Sequence, residues 1–226
     1  MEESFKLSPS DLTFLWDDCP RCFYLKVARG FNRPWGAFPK IFNRIDQLMK
    51  DYFEGKPTSG MTRELPEGVV KFGDKWVTST PINVPGHANT CFIRGKFDTV
   101  AEFSDGSYGV VDFKTSEPRT HHVAFYGRQL HAYAYALENP APRSFSLHPI
   151  TRLGLLVVEP VLMDKTPEDQ IAYLGDMTWL EIPKDEDGFM GFLDRVLKVL
   201  EQPEPPESNP KCGYCQYRQA ARSTGY

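Results

Sequence analysis

The stretch GVVDFKTSEP, residues 109–118, sets an acid and a lysine two residues apart at the end of an apolar run. On a β-strand, residues i and i+2 share a face. Asp112 and Lys114 therefore point the same way, while Val111 and Phe113 point into the core. Such a pair is either a surface salt bridge, worth little, or a reactive pair. A D/E-x-K triplet alone decides nothing, and Glu54-Gly55-Lys56 is a decoy of this kind at a helix end. The surroundings of Asp112 carry the weight. CFIRGKFDTVAEFSDGSYGVVDFKT, residues 91–115, reads as a hairpin turning at Asp105-Gly106, a strong short-range hairpin signal. Its first strand carries Asp98, which the turn brings alongside Asp112. Two carboxylates and a lysine on one sheet face suit a hard cation, because Mg²⁺ takes oxygen ligands and keeps several waters. A charged lysine is no ligand. It can hold or deprotonate a water, or stabilise charge developing on a phosphate.

Further elements extend on both sides. HHVAFYGRQLHAYAYALEN (121–139) reads as a helix and adds Gln129 and Tyr133, an i, i+4 pair on one face. FPKIFNRIDQLMKDYFEG (38–55) has Ile41, Ile45, Leu48, Met49, Tyr52 and Phe53 at helical spacing and stops at Gly55. Asp46 interrupts that helix as a further carboxylate. VVKFGDKWVTS (69–79) reads as another hairpin, turning at Gly73-Asp74. TRLGLLVVEP (151–160) is nearly continuous aliphatic, as a strand buried on both faces would be, and IAYLGDMTWLEIP (171–183) reads as its neighbour. EDGFMGFLDRVLKVLEQ (186–202) is an amphipathic helix, and PEPPESNP (203–210) an extended linker. At the N-terminal end, LSPSDLTFLWDDCPRCFYLKVARG (7–30) reads as a short helix, a bend and a second helical turn, with Ser8 or Ser10 as cap. The order predicts an α/β fold with a mixed central sheet flanked by helices.

The 226 residues are enough for one domain with a sizeable core, at 41% hydrophobic and 25% charged. No apolar run reaches the length of a membrane span, about 18 residues. MEESFKLSPS lacks the apolar core of a signal peptide, so the expected location is cytoplasmic, with no membrane partner. A net charge of −4 argues against a globally basic binder but leaves room for a local basic groove. His87, His121, His122 and His131 have no metal-type spacing and are expected in turns or at the surface.

GKFDTV, GVVDFKT and RQLHAYAYAL together resemble the signature of PD-(D/E)XK nucleases of the RecB type, including the RecB-like exonucleases associated with CRISPR adaptation. SPSDLTFLWDDCPRCFYL is similar to the N-terminal segment of that group, and KCGYCQYR to its C-terminal cysteine segment. The resemblance covers nearly the whole chain, with residues 55–90 and 140–205 matching only in outline. It implies a restriction-endonuclease-like core and one nuclease domain over 1–226. Within it, 1–55 would be an N-terminal helical segment, 69–182 the catalytic core and 186–226 the C-terminal helix and cysteine segment. It implies a Mg²⁺- or Mn²⁺-dependent DNA exonuclease acting on single strands or ends, serving alone or beside a helicase or another nuclease-complex subunit. Asp98 and Asp112 would be metal ligands, with the backbone carbonyl of Phe113, and Lys114 the catalytic lysine. Gln129 and Tyr133 would form the fourth motif. The group usually has a histidine ligand on the early helix. None stands here, and Asp46 is the candidate replacement. That missing histidine supports a rival reading, a weak or inactive DNA-binding or assembly subunit. Trp16, Phe23, Tyr24, Trp35 and Tyr126, with Arg21, Arg29, Arg33 and Arg128, are candidate DNA contacts.

Cys19-x-x-Cys22 and Cys212-x-x-Cys215 are two CxxC pairs separated by almost the entire chain. Paired CxxC signals four-thiolate metal binding. A zinc ribbon has a short gap between pairs, whereas this gap suits a clasp joining the two ends. Iron–sulfur members of the resembling group carry one cysteine early and three late, against two and two here. The resemblance favours a [4Fe–4S] cluster, and structural Zn²⁺ is the alternative. Cys91 reads as a buried small residue.

Overall fold

The computed structural model describes residues 4–34, 36 and 39–225. Trp35, one of the candidate DNA contacts, lies outside them. The strands are β1 (Ser4–Leu7), β2 (Gly68–Gly73), β3 (Trp76–Thr78), β4 (Thr90–Lys96), β5 (Thr99–Phe103), β6 (Tyr108–Thr115), β7 (Ile150–Lys165) and β8 (Ile171–Ile182). The helices are α1 (Trp16–Asp18), α2 (Pro20–Arg29), α3 (Lys40–Phe53), α4 (His121–Glu138), α5 (Glu186–Leu200) and α6 (Gly213–Ser223). A π-helical turn, Asp11–Leu15, leads into α1, and neither Ser8 nor Ser10 caps it with a side chain.

The strands form two mixed sheets, flanked by helices. One has five strands in the order β2-β5-β6-β7-β8, and the other three in the order β1-β4-β3. In the larger sheet β6 runs parallel to β7 and every other pairing is antiparallel. The parallel step is bridged by α4, as a parallel connection requires. Val110 and Leu153 lie in the main core with Leu130, Ala134 and Leu137 of α4 and Leu193 and Leu197 of α5. Val111, Phe113 and Leu156 face the other way and pack with Met49 and Phe53 of α3. β7 is thus buried on both faces, as its aliphatic run predicts.

The expected hairpin at 105–106 forms, with Thr99 opposite Val111 and Gly106 at φ +83°. The expected hairpin at 73–74 does not. β2 and β3 belong to different sheets, and Gly73-Asp74 is a corner between them. The chain that carries β4 and β5 bends beside it at Phe97-Asp98. Asp74 N–H donates to the Asp98 carbonyl at 3.2 Å, and Phe97 N–H to that of Lys75 at 3.3 Å. An antiparallel pair therefore folds over as a unit from one sheet to the next. Alternation of apolar residues is the same in a strand that turns back and in one that bends onward, which is why the sequence pattern misread this turn. The β1 strand was also missed, since its four residues pair with β4 only through long-range contact.

The apolar stripe of α3 is only partly used. Met49 and Phe53 are buried, while Ile41, Leu48 and Tyr52 are exposed. Gly55 ends the helix at φ +74°. The histidines expected at the surface are in part structural. His87 is held between Glu201 Oε2 (2.8 Å) and Asp194 Oδ1 (3.1 Å), which ties the 84–89 loop to α5. His131 accepts from Asp185 N–H at 2.7 Å and stacks on Phe189.

Candidate active site

Asp112 and Lys114 share a face of β6, but it is not a solvated one. α4 covers it, and Asp112 is 2% exposed. The two side chains form an ion pair. Asp98 lies at the corner before β5 rather than within a strand, and still reaches the Asp112 carboxylate. Burial, with the neighbouring Asp98 charge, pushes the Asp112 carboxyl up to about 7, against the pull of Lys114. Lys114 stays protonated: burial opposes its charge, and the Asp112 and Asp98 carboxylates outweigh burial. Its ammonium also lies 4.7 Å from the Tyr126 ring centroid.

Gln129 and Tyr133 both face the site from α4, with different partners. Gln129 Nε2 donates to Asp112 Oδ1 at 3.2 Å. Its Oε1 is buried with no partner among the described residues, and Asp112 Oδ2 has no aligned hydrogen bond beyond the Lys114 charge. The Tyr133 hydroxyl donates to the Lys96 carbonyl at 2.8 Å and so pins the end of β4. Gly95 permits this approach, because a Cβ there would meet the Tyr133 ring at 3.0 Å and Pro9 Cδ at 2.7 Å.

Sequence reasoning missed the centre of the neighbouring charge cluster. Lys50, one helical turn after Asp46 on α3, is only 12% exposed and is gripped by three carboxylates. Its Nζ lies 2.8 Å from Asp46, 2.8 Å from Asp98 and 3.1 Å from Asp74. Asp74 also pairs with Lys96 at 3.0 Å. The two sheet corners thus aim Asp74 and Asp98 at one helix residue, and Asp74 adopts a left-handed φ of +53° to do so. Burial lowers an ammonium pKa, but the Asp98 and Asp46 carboxylates raise that of Lys50. Burial raises Asp46, partly offset by Lys50. The available signal was the i, i+4 spacing of Asp46 and Lys50. It reads as an ordinary surface pair unless the corners are known.

The donor set fits a hard divalent cation. Asp112 is buried beside a second carboxylate, and an orphaned amide oxygen stands next to it. Soft ligands are absent from this set.

The cysteines are brought together. Cys19, Cys22, Cys212 and Cys215 have all their sulfurs within 4.8 Å of one another, and they pack as a small separate cluster. The closest approaches are Cys22–Cys215 at 3.4 Å, with Cys19–Cys215 and Cys22–Cys212 at 3.9 Å each. Burial alone would raise the Cys19 thiol, and the backbone amides of Cys22 and Asn209 bring it down to about 7, toward the ligating thiolate. Arg33 donates to Cys212 Sγ at 3.1 Å and pairs with Asp18 at 2.5 Å. Cys91 is buried far from ionisation, its thiol pushed up to about 12.

Most of the candidate DNA contacts are used elsewhere. Phe23 and Tyr24 are buried in the core, and Trp16 packs edge-on against Phe23 and Phe192. Arg128 pairs with Asp17 at 2.5 Å, and Arg29 donates to the Pro203 carbonyl at 3.1 Å.

A family model of the PD-(D/E)XK nuclease superfamily matches residues 45–220. The chain belongs to that superfamily. The match begins within α3 and takes in both sheet corners, the Asp112–Lys114 strand, α4 and the second cysteine pair. No curated protein matches the chain. Among solved structures, the crystal structure of SSO0001 is similar at 16% identity and a TM-score of 0.49, over 97% of this chain and 86% of that one. Superfamily members hydrolyse phosphodiester bonds with divalent metals, and the four cysteines could hold a further metal. Among the described residues no helix is long and apolar enough to cross a membrane.

Proposed function

We propose that the chain is a Mg²⁺- or Mn²⁺-dependent deoxyribonuclease working as an exonuclease on single-stranded DNA or DNA ends, with residues 1–226 acting as one nuclease unit. The observation that carries this reading is the buried Asp112 carboxylate, crowded by Asp98, paired with Lys114 and bordered by the unpartnered Gln129 oxygen. Asp98, Asp112 and the Phe113 carbonyl are the proposed holders of the cation. Bound there, it would act as a Lewis acid toward a phosphodiester oxygen and neutralise charge in the transition state. Lys114 orients the attacking water and stabilises the developing phosphorane charge. Gln129 fixes the Asp112 rotamer and offers its free oxygen to a water. Tyr133 acts at one remove, by holding the β4 end that precedes Asp98. Asp46 is the proposed replacement for the histidine of the resembling group, and Lys50 supplies a fixed positive charge that holds Asp46, Asp74 and Asp98 together.

The cysteine cluster is proposed as a structural metal clasp. At a metal–sulfur distance of about 2.3 Å, a tetrahedral ion sets its sulfurs roughly 3.8 Å apart. A [4Fe–4S] cluster puts each thiolate on a different iron and spreads the sulfurs farther. The spacing therefore supports one Zn²⁺ over the cluster that the resemblance implies.

Linear and circular single-stranded DNA test the exonuclease part of this reading. With Mg²⁺ or Mn²⁺ the linear form should be degraded and the circle spared, and EDTA should stop the degradation. Cutting of the circle at the linear rate would replace the exonuclease assignment with an endonuclease.

A further inference from the structure

The C-terminal helix carries more than metal ligands. Cys215, Arg218, Gln219 and Arg222 stand at i, i+3, i+4 and i+7, one face of α6. With Arg21 of α2 and Ser208 of the linker they line a cavity of about 280 Å³. No carboxylate belongs to that lining. Arginine ion pairs among the described residues involve Arg33, Arg119, Arg128 and Arg152, and none involves Arg21, Arg218 or Arg222. Three guanidiniums converging without a counter-charge are unusual on a chain of net charge −4. Their mutual repulsion favours an anion between them.

Two of the three are held in place. Arg21 donates to the Pro206 carbonyl at 3.1 Å. Arg218 lies 4.8 Å from the Phe31 ring centroid and 5.9 Å from that of Tyr214. Phe31, the ring against Arg218, is itself exposed. Guanidiniums beside an exposed ring make a combination that single-stranded nucleic acid uses, with phosphates on the cations and a base on the ring.

We propose that the Arg21–Arg218–Arg222 cavity binds backbone phosphate of a single-stranded nucleic acid, and that the four-cysteine clasp sets its geometry. Cys212 caps α6 and Cys215 lies in its first turn, while Cys19 and Cys22 flank Arg21. A metal shared by those thiolates would fix the two helices that carry the arginines relative to each other. The choice of a DNA strand rests on the nuclease reading above. The phosphate chemistry does not, because a free phosphate or nucleotide would use the same groups.

The test is fluorescence anisotropy with a labelled single-stranded oligonucleotide and no added divalent ion, so that binding is read without cleavage. Arg218→Gln/Arg222→Gln should weaken binding at least tenfold. It should also flatten the salt dependence by about 1.4 in log–log slope, since each single-strand phosphate contact contributes roughly 0.7. Arg218→Lys/Arg222→Lys should restore most of both, and an unchanged melting temperature separates lost grip from lost fold. Under turnover with Mn²⁺, the Gln variant should raise KM and leave kcat near the parent value. Affinity and salt slope equal to the parent's would overturn the proposal. So would millimolar phosphate or ATP protecting the cavity while oligonucleotide binding ignores the substitutions, since the ligand would then be a free anion. A protein that binds through these arginines but cuts no DNA under any metal would sink the nuclease reading and leave this site standing.

Discussion

Asp98, Asp112 and Lys114 come from one short segment folded at a single turn, whereas Cys19 and Cys215 meet across 196 residues of sequence. The first site is assembled by local pairing and sheet corners, so the fold exists without it. Its ammoniums of Lys50, Lys96 and Lys114 nearly balance the carboxylates of Asp46, Asp74, Asp98 and Asp112. The second is assembled from the chain ends, and a metal held there would close a loop around nearly the whole chain. A substitution at Asp98, Asp112 or Lys114 should therefore cost chemistry before stability, and one in the second the reverse.

The largest stability effect is expected at the clasp. Closing a loop of this length restricts the unfolded chain by about 5 kcal/mol in the loop-entropy picture. Cys215→Ser should lower the melting temperature by roughly 10–20 °C at the scale of this chain, with cleavage per folded molecule preserved at low temperature on a substrate too short to reach the arginine cavity. Metal analysis should find one zinc per chain and a colourless protein. A brown protein with iron and broad visible absorption would instead assign the [4Fe–4S] cluster. A fully stable Cys215→Ser protein would remove the contrast between the two regions.

Lys50 sharpens the comparison from the other side. Lys50→Ala leaves Asp46, Asp74 and Asp98 facing one another without a cation. Their mutual repulsion should destabilise the fold, so the melting temperature should drop without divalent ions and recover with Mn²⁺. Calorimetric titration of Mn²⁺ should show tighter or additional binding in the variant. A melting temperature unchanged in metal-free buffer would mean that Lys50 only decorates the surface of α3.

The smallest effect is electrostatic and lies away from both sites. Burial opposes protonation of His87, but Glu201 and Asp194 outweigh it and raise its pKa. A group whose folded pKa is raised adds stability that is complete below the unfolded value, about 6.5. That stability is lost as pH climbs through the folded value. The melting temperature should fall by a few degrees as pH passes upward through that window, and His87→Gln should flatten the fall. An identical pH profile for both proteins would place the loop's attachment elsewhere.

The elements legible in the sequence were those whose pattern is local. The Asp105-Gly106 turn, the doubly buried β7, the amphipathic α5 and the helix of Gln129 and Tyr133 all stand where their residues put them. The cysteine clasp was legible because thiolates at CxxC spacing have few other uses. The charge cluster was not. Asp74 and Lys50 are ordinary polar residues until two strands bend together at Asp74 and Asp98, and nothing in a period of two distinguishes a bend from a reversal. Arg21 stood among the candidate DNA contacts, but its convergence with Arg218 was hidden for a related reason, since it depends on the chain ends meeting.

Asp98, Asp112 and Lys114 are proposed to form a metal-dependent cleavage site on an otherwise self-supporting fold. Wild type and Lys114→Ala, purified in parallel and matched by melting temperature, should be assayed on linear single-stranded DNA with Mn²⁺. The parent should cleave, and the variant's rate should be reduced by at least about 100-fold, the scale of losing general acid–base and charge stabilisation together. Cleavage by Lys114→Ala at the parent rate would contradict it.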